Sequence, residues 1–198
     1  MKTYIIVGII LVVISFVCIF LSLIRKNDSF FNIRKVVKNH LRLFKDCPYQ
    51  YVVFYVLPLF FSVGLSLIYQ AAPAFYSDVS VIIGILLSIL LAMLSIISGY
   101  DFAEIEDVKQ KENANRVLSE TVNAIIFACL LCVFVMLFAL AMIVIEGVDF
   151  SWLCFNPIAL KCIASGVVYY IFSVILLSLL LIVKHVSNIL ECKRSYKK

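Results

Sequence analysis

The chain has 198 residues, of which 64% are hydrophobic and 15% charged, and it carries a formal net charge of +5. Soluble domains contain about 45–50% apolar residues, so a soluble core could not bury this much apolar surface. The composition therefore excludes a soluble globular protein and predicts a membrane protein.

Five apolar stretches are each long enough to cross a bilayer. A hydrocarbon core requires roughly 20 apolar residues per helix, and the stretches that qualify are residues 4–24, 51–69, 79–98, 122–145 and 162–183. We therefore predict an all-α, polytopic transmembrane helix bundle that forms one domain over residues 1–198. In a four-span alternative one stretch would be re-entrant or interfacial. The second stretch is the weakest, because Pro58 interrupts it and predicts a kink.

The flanking charges predict the orientation of the spans. If the N-terminus lies outside and the spans alternate, residues 25–50, 99–121 and 184–198 face the cytoplasm. These segments hold seven, three and five of the 17 basic residues, and only Lys2 and Lys161 lie outside. Cytoplasmic loops carry an excess of Lys and Arg. The pattern therefore predicts an external N-terminus and a cytoplasmic C-terminus.

The first cytoplasmic segment predicts an amphipathic helix that ends before Pro48. Its apolar side consists of Phe30, Ile33, Val37, Leu41 and Phe44, and its basic side of Arg34, Lys35, Lys38, Arg42 and Lys45. A basic amphipathic helix between two spans is expected to lie in the headgroup plane and to bind anionic lipid through these basic side chains. The alternative is a loop whose charge serves only the orientation of the spans.

The second cytoplasmic segment, residues 101–121, carries mixed charge and contains no glycine or proline. We predict a helical hairpin that extends the third span and turns near Asn113–Asn115 into the fourth. Mixed charge suits a protein partner better than lipid headgroups. The candidate docking residues are Glu104, Glu106, Asp107, Lys109 and Lys111. A solvated hairpin without a partner would explain the same charges.

Small residues form a stripe along the third span. Gly84, Ser88, Ala92, Ser95 and Gly99 follow one another at steps of three or four residues. Small residues let helix backbones approach closely in lipid. Packing within the chain, subunit contact and pore lining are three possible uses of this stripe. We predict a homo-oligomer, since the stripe offers more small-residue surface than one protomer clearly needs.

The sequence predicts no enzymatic activity, no cofactor and no metal site. The apolar stretches contain no ionisable Asp, Glu, Lys, Arg or His, although such residues mark most catalytic and proton-coupled membrane proteins. His40 and His185, the only histidines, lie at the predicted cytoplasmic edges. No protease, nucleotide or phosphate-binding motif is present, so no catalytic residue is predicted.

Two pairs of cysteines have spacings or positions that other chemistry uses. Cys129-x-x-Cys132 lies inside an apolar span with no second pair, so we predict packing rather than metal or redox function. Cys154 and Cys162 lie in or beside the last outer loop, where a disulfide is an open alternative.

The layout of the whole chain resembles the KwaA family, the membrane subunits of the bacterial Kiwa anti-phage defence system. The resemblance rests on the chain length, the minimal outer loops, a Lys-rich tail and the basic stretch Lys35–Lys45 that leads into Tyr51–Pro58. That family is associated with four spans, so five would be a departure. No functional residue carries over, because the resemblance includes no catalytic motif.

The resemblance implies a multi-pass sensor in the bacterial inner membrane that assembles as a homo-oligomer, with a tetramer as the expected size. It also implies a cytoplasmic DNA-binding effector, KwaB, as partner, while the membrane subunit itself binds no nucleic acid. The alternative function is a small pore-forming or channel-like effector. A conducting pore usually needs a polar or charged lining, and the spans offer only small hydroxyl residues, so the sequence favours the sensor.

Overall fold

The computed structural model describes residues 7–8, 11, 14, 33–42, 44, 48–69, 72–99, 108–146 and 157–196. Every regular element in these ranges is helical, which confirms the all-α class. The elements are α1 (Ile33–Arg42), α2 (Pro48–Tyr51), a π-helical segment (Val52–Val56), α3 (Leu57–Ile68), α4 (Pro73–Ser98), α5 (Val108–Glu146) and α6 (Pro157–Tyr196).

Four helical stretches in the described part are long and apolar enough to span a membrane. They are Tyr49–Ile68, Ala74–Ser98, Lys111–Ile145 and Lys161–Leu190, and they match the second to fifth predicted spans, except that the second ends one residue earlier, at Ile68. The first predicted span, residues 4–24, lies outside the described residues except for Val7, Gly8, Leu11 and Ile14, which are helical. A membrane-spanning bundle is therefore confirmed, and the first predicted span, residues 4–24, stays a prediction.

Helix α5 lies at the centre of the bundle. It packs against α4 on one side and α6 on the other, and α6 in turn packs against α3. The face that α5 buries consists largely of small side chains at steps of three or four residues: Ala124, Ala128, Cys132, Val135 and Ala139, all fully buried. We call these five residues the α5 seam. Small residues at a helix interface allow close packing in lipid, where burial in protein offers no hydrophobic gain.

The chain widens into a π-helix immediately before Pro58. The Leu57 N–H donates to the carbonyl of Val52, five residues earlier. A proline has no N–H and its ring crowds the carbonyl four residues back, here that of Phe54. One wider turn removes this crowding without ending the helix. The disturbance predicted at Pro58 therefore takes the form of the π-helical segment.

Helix α5 is continuous from Val108 to Glu146, so the predicted turn near Asn113–Asn115 is wrong. Helix α4 ends at Ser98, which is also the end of the third predicted span. The helical extension therefore belongs to α5, which contains the fourth predicted span. The helix continues through residues 113–115 for one local and one tertiary reason. The segment has no helix breaker, and Ala114 is buried, where it packs with Ile189 of α6.

Candidate functional site at the α1 end

Helix α1 contacts α5 through His40. The fully buried imidazole stacks on Phe127 of α5, with ring centroids 3.9 Å apart and an interplanar angle of 12°. Phe44 meets the same imidazole edge-on at 5.4 Å. The positions of the predicted spans place His40 only at a span edge. Its spacing from Val37 and Phe44, three and four residues, already put it on the apolar side of α1.

Phe44 connects this contact to the π-helical segment. Its ring centroid lies 4.8 Å from Phe54 and 5.9 Å from Tyr55. Tyr51, in the turn before, lies 5.0 Å from Tyr55. We call His40, Phe44, Tyr51, Phe54, Tyr55 and Phe127 the aromatic cluster. The cluster joins α1, the π-helical segment and α5 at the predicted cytoplasmic end of the bundle, which we call the α1 end.

His40 is buried without polar compensation. Neither ring nitrogen has a hydrogen-bond partner among the residues that the structure describes. Burial lowers the pKa of His40 from an ordinary 6.5 to about 4, and no neighbouring charge contributes to this shift. Buried polar groups normally have a partner, and a protonated imidazole would be far more costly to bury. The contact between α1 and α5 therefore requires neutral His40.

A cavity of about 560 Å³ opens beside the aromatic cluster. Its walls come from the stretch around the π-helical segment, from α5 and from α6. They include the polar residues Tyr49, Gln50, Glu120, Lys184, His185 and Asn188 and the apolar residues Phe44, Val53, Phe54, Val117, Leu177, Leu180 and Leu181. The polar residues lie just outside the ends of the predicted spans, and most of the apolar ones lie within the spans. The cavity is therefore amphipathic and lies where the helices leave the apolar layer.

Helices α5 and α6 both continue past their apolar spans at the α1 end. They contain 39 and 40 residues, so each is about 58–60 Å long, roughly twice the thickness of a hydrocarbon core. Beyond the spans, Ala114 and Ile189 are buried together, with Val117 and Leu118 packed against them. We call residues 108–120 and 184–196 the stalk. This two-helix projection is the largest described part outside the predicted membrane.

The stalk has charges of both signs. Arg116 Nε lies 3.7 Å from Glu120 Oε1, and the Arg116 side chain is 71% exposed. Exposed pairs of this kind contribute little to stability. Of the five predicted docking residues, Lys111 is half-buried in the stalk and Lys109 lies in the first turn of α5. Glu104, Glu106 and Asp107 lie outside the described residues.

The predicted lipid-interface residues of α1 share one exposed side. Arg34, Lys35, Lys38 and Arg42 are exposed, whereas Val36 and Val37 are half-buried and His40 is buried. Lys45 lies outside the described residues. The amphipathic character of α1 is therefore confirmed, and lipid binding by its basic side stays a prediction.

The small-residue stripe of α4 faces away from the described helices. Ser88, Ala92, Ser95 and Gly99 are exposed, and a Cβ atom added at Gly84 would meet nothing within 4 Å. Helix α4 instead buries large side chains toward α5, namely Tyr76, Ile83, Leu90 and Ile97. The stripe thus takes no part in the packing among the described residues, and contact with the first predicted span, subunit contact and pore lining stay its possible uses.

Cys129, Cys132 and Cys162 are free thiols. Cys132 is fully buried in the α5 seam and Cys129 is half-buried, in keeping with a packing role. The Cys162 thiol donates to the Ser66 carbonyl oxygen at 3.4 Å, where α6 meets α3. Cys154 lies outside the described residues. Among the residues that the structure describes, no group of three or more His, Cys, Asp or Glu side chains could hold a metal ion.

The chain matches no family model, no curated protein and no solved structure. The function therefore has to be inferred from the α1 end, where the aromatic cluster, the cavity and the stalk meet.

Proposed function

We propose that this chain is a non-enzymatic membrane sensor or scaffold subunit that recruits a soluble cytoplasmic partner through the stalk. The carrying observation is the shared projection of α5 and α6 beyond their apolar spans, joined at Ala114 and Ile189. A rigid two-helix surface with exposed Glu112 and Arg116 suits recognition by charge. Complementary charge chiefly sets the specificity and the rate of association.

The position of α1 supports a sensing role. Its basic side is exposed toward the predicted headgroup layer, and its opposite side is anchored to α5 by His40. A change at the membrane surface that displaces α1 would reach α5 through the contact between His40 and Phe127. On α5 the stalk ends at residue 120, about two helical turns before Phe127, since each turn contains 3.6 residues. The contact with His40 therefore lies close to the base of the stalk.

The resemblance to the KwaA family extends the proposal to a biological setting. In that setting the chain is a homo-oligomeric inner-membrane subunit of an anti-phage defence complex, and its partner is a cytoplasmic DNA-binding effector. The alternative is a pore-forming effector lined by the exposed α4 stripe. The sensor is favoured because several span hydroxyls donate to carbonyls of their own helices, as Ser88 does to Gly84 at 3.0 Å and Ser173 to Tyr169 at 2.8 Å.

Charge reversal on the stalk tests the proposed docking. We expect the double variant Glu112→Lys, Arg116→Glu and the triple variant with Glu104, Glu106 and Asp107 changed to Lys each to reduce binding of the partner roughly tenfold. The measurement is co-purification of the tagged chain with the soluble protein encoded by the adjacent gene. Asp78→Asn is the control, since Asp78 is exposed at the opposite end of the bundle. If both stalk variants recover as much of the partner as the wild-type chain does, the docking site lies elsewhere.

The proposal also requires the stalk to lie in the cytoplasm. A green fluorescent protein fused after Lys198 is expected to fluoresce, and alkaline phosphatase at the same position to be inactive, because the basic segments flank the α1 end. Full phosphatase activity would show that the C-terminus lies outside the cytoplasm and that the stalk cannot bind a cytoplasmic partner.

A further inference from the structure

The cavity at the α1 end presents one fixed charge of each sign. Glu120 comes from α5 and Lys184 from α6, and both act electrostatically on His185, which lines the same cavity. Lys184 has no ion pair among the described residues, and Glu120 has only the loose contact with the largely exposed Arg116. Two amide side chains, Gln50 and Asn188, complete the polar wall. Both charges therefore remain available to a ligand.

The apolar wall of the cavity continues onto the outer surface of α6. Leu177, Leu180 and Leu181 line the cavity, and Leu180 is 67% exposed. Lys184 follows Leu180 and Leu181 by one helical turn, so the polar and apolar walls are stacked along the bundle axis. A ligand with a polar end at the level of Lys184 and an apolar end along α6 could enter sideways from the lipid.

We propose that this cavity binds a zwitterionic phospholipid whose head group carries a primary amine, as phosphatidylethanolamine does. The phosphate pairs with Lys184, and the ammonium pairs with Glu120. The amide oxygens of Gln50 and Asn188 can accept further N–H hydrogen bonds from the ammonium. The acyl chains lie against Leu177, Leu180 and Leu181. The cavity volume lies within the range of about 300–1,000 Å³ that is usual for ligand pockets.

The charges distinguish this ligand from other lipids. A glycerol lipid can pair its phosphate with Lys184 in the same way, but its head group has no ammonium, so the Glu120 carboxylate in the same cavity keeps no cationic partner from the lipid. A choline head group carries a cation but has no N–H to donate to Glu120, Gln50 or Asn188. The site is also separate from the basic side of α1, which lacks a carboxylate and is predicted to attract anionic lipid.

Native mass spectrometry of the intact purified chain tests the proposal. The chain is supplemented in turn with the ethanolamine, choline and glycerol forms of one synthetic phospholipid. We expect the ethanolamine lipid to be retained roughly three- to tenfold better than the other two, the effect of one or two charge-assisted hydrogen bonds at a partly exposed site. Lys184→Gln should lower retention of all three lipids by a similar factor. Glu120→Gln should abolish the preference for ethanolamine over choline.

Matched controls lie on the stalk outside the cavity. Lys111→Gln and Glu112→Gln make the same changes of charge on α5, and both variants are expected to retain the three lipids as the wild-type chain does. The comparison among lipids uses the unmodified chain, so it stands even if a variant misfolds. Equal retention of the three lipids, preferential retention of the glycerol lipid, or a cross-link that shows residues 1–32 filling the cavity would each overturn the proposal. None of these outcomes bears on docking to the stalk.

Discussion

Replacing Ala128 with leucine is expected to lower the free energy of unfolding of the protomer by about 2–3 kcal/mol, whereas the same replacement at Ala92 should change it by less than about 0.5 kcal/mol. Ala128 is 0% exposed in the α5 seam, where three added carbon atoms have no free space. Ala92 is exposed on α4, where a leucine side chain can extend into lipid or toward another copy of the chain.

Unfolding in mixed micelles of increasing denaturing detergent, followed by circular dichroism, measures this difference. Similar destabilisation by both variants would contradict the placement of the two small-residue faces. The mass of the complex in mild detergent gives the second readout. If the α4 stripe is a subunit interface, Ala92→Leu should lower the mass while the protomer stays folded. A wild-type chain that is only monomeric would exclude the homo-oligomer.

Acidification is expected to release α1 from α5. The pKa of His40 is about 4 when the helix is docked and 6.5 when the imidazole is in water. The undocked state therefore binds more protons at acidic pH, and docking weakens as the pH falls through 6.5 and levels off below about 4. Between pH 7.5 and pH 5 the docking equilibrium should fall roughly 30-fold, or about 2 kcal/mol. The rings that face His40 are Phe44 and Phe127, which do not titrate.

Hydrogen–deuterium exchange of amides 33–42 in nanodiscs, corrected for the intrinsic pH dependence of exchange, measures docking directly. The matched variant is His40→Phe, which keeps a flat ring against Phe127 and removes the titration. Its exchange protection should be the same at both pH values, while that of the wild type should fall by up to roughly 30-fold between pH 7.5 and pH 5. Protection of wild-type α1 that does not change with pH, or a pH effect that persists in His40→Phe, would show that the imidazole does not control docking.

The amino-acid sequence by itself determined the environment, the helical class and the four described spans. Each of these depends on a local quantity: the length of an apolar run, the charge at its ends, or a helix breaker such as Pro58. The amphipathic pattern of α1 also followed from spacing alone. His40 could have been recognised as its anchor by the same spacing from Val37 and Phe44.

Only the tertiary structure decided which small-residue face holds the protomer together. The α4 stripe around Ser88 and the α5 seam around Ala128 have the same spacing, yet the first is exposed and the second is buried. In water a buried face differs from an exposed one in polarity. In lipid both surroundings are apolar, so the sequence of a span does not mark its inner side. The cavity also joins Gln50, Glu120 and Lys184, which are distant in the chain, and only the packing of the helices brings them together.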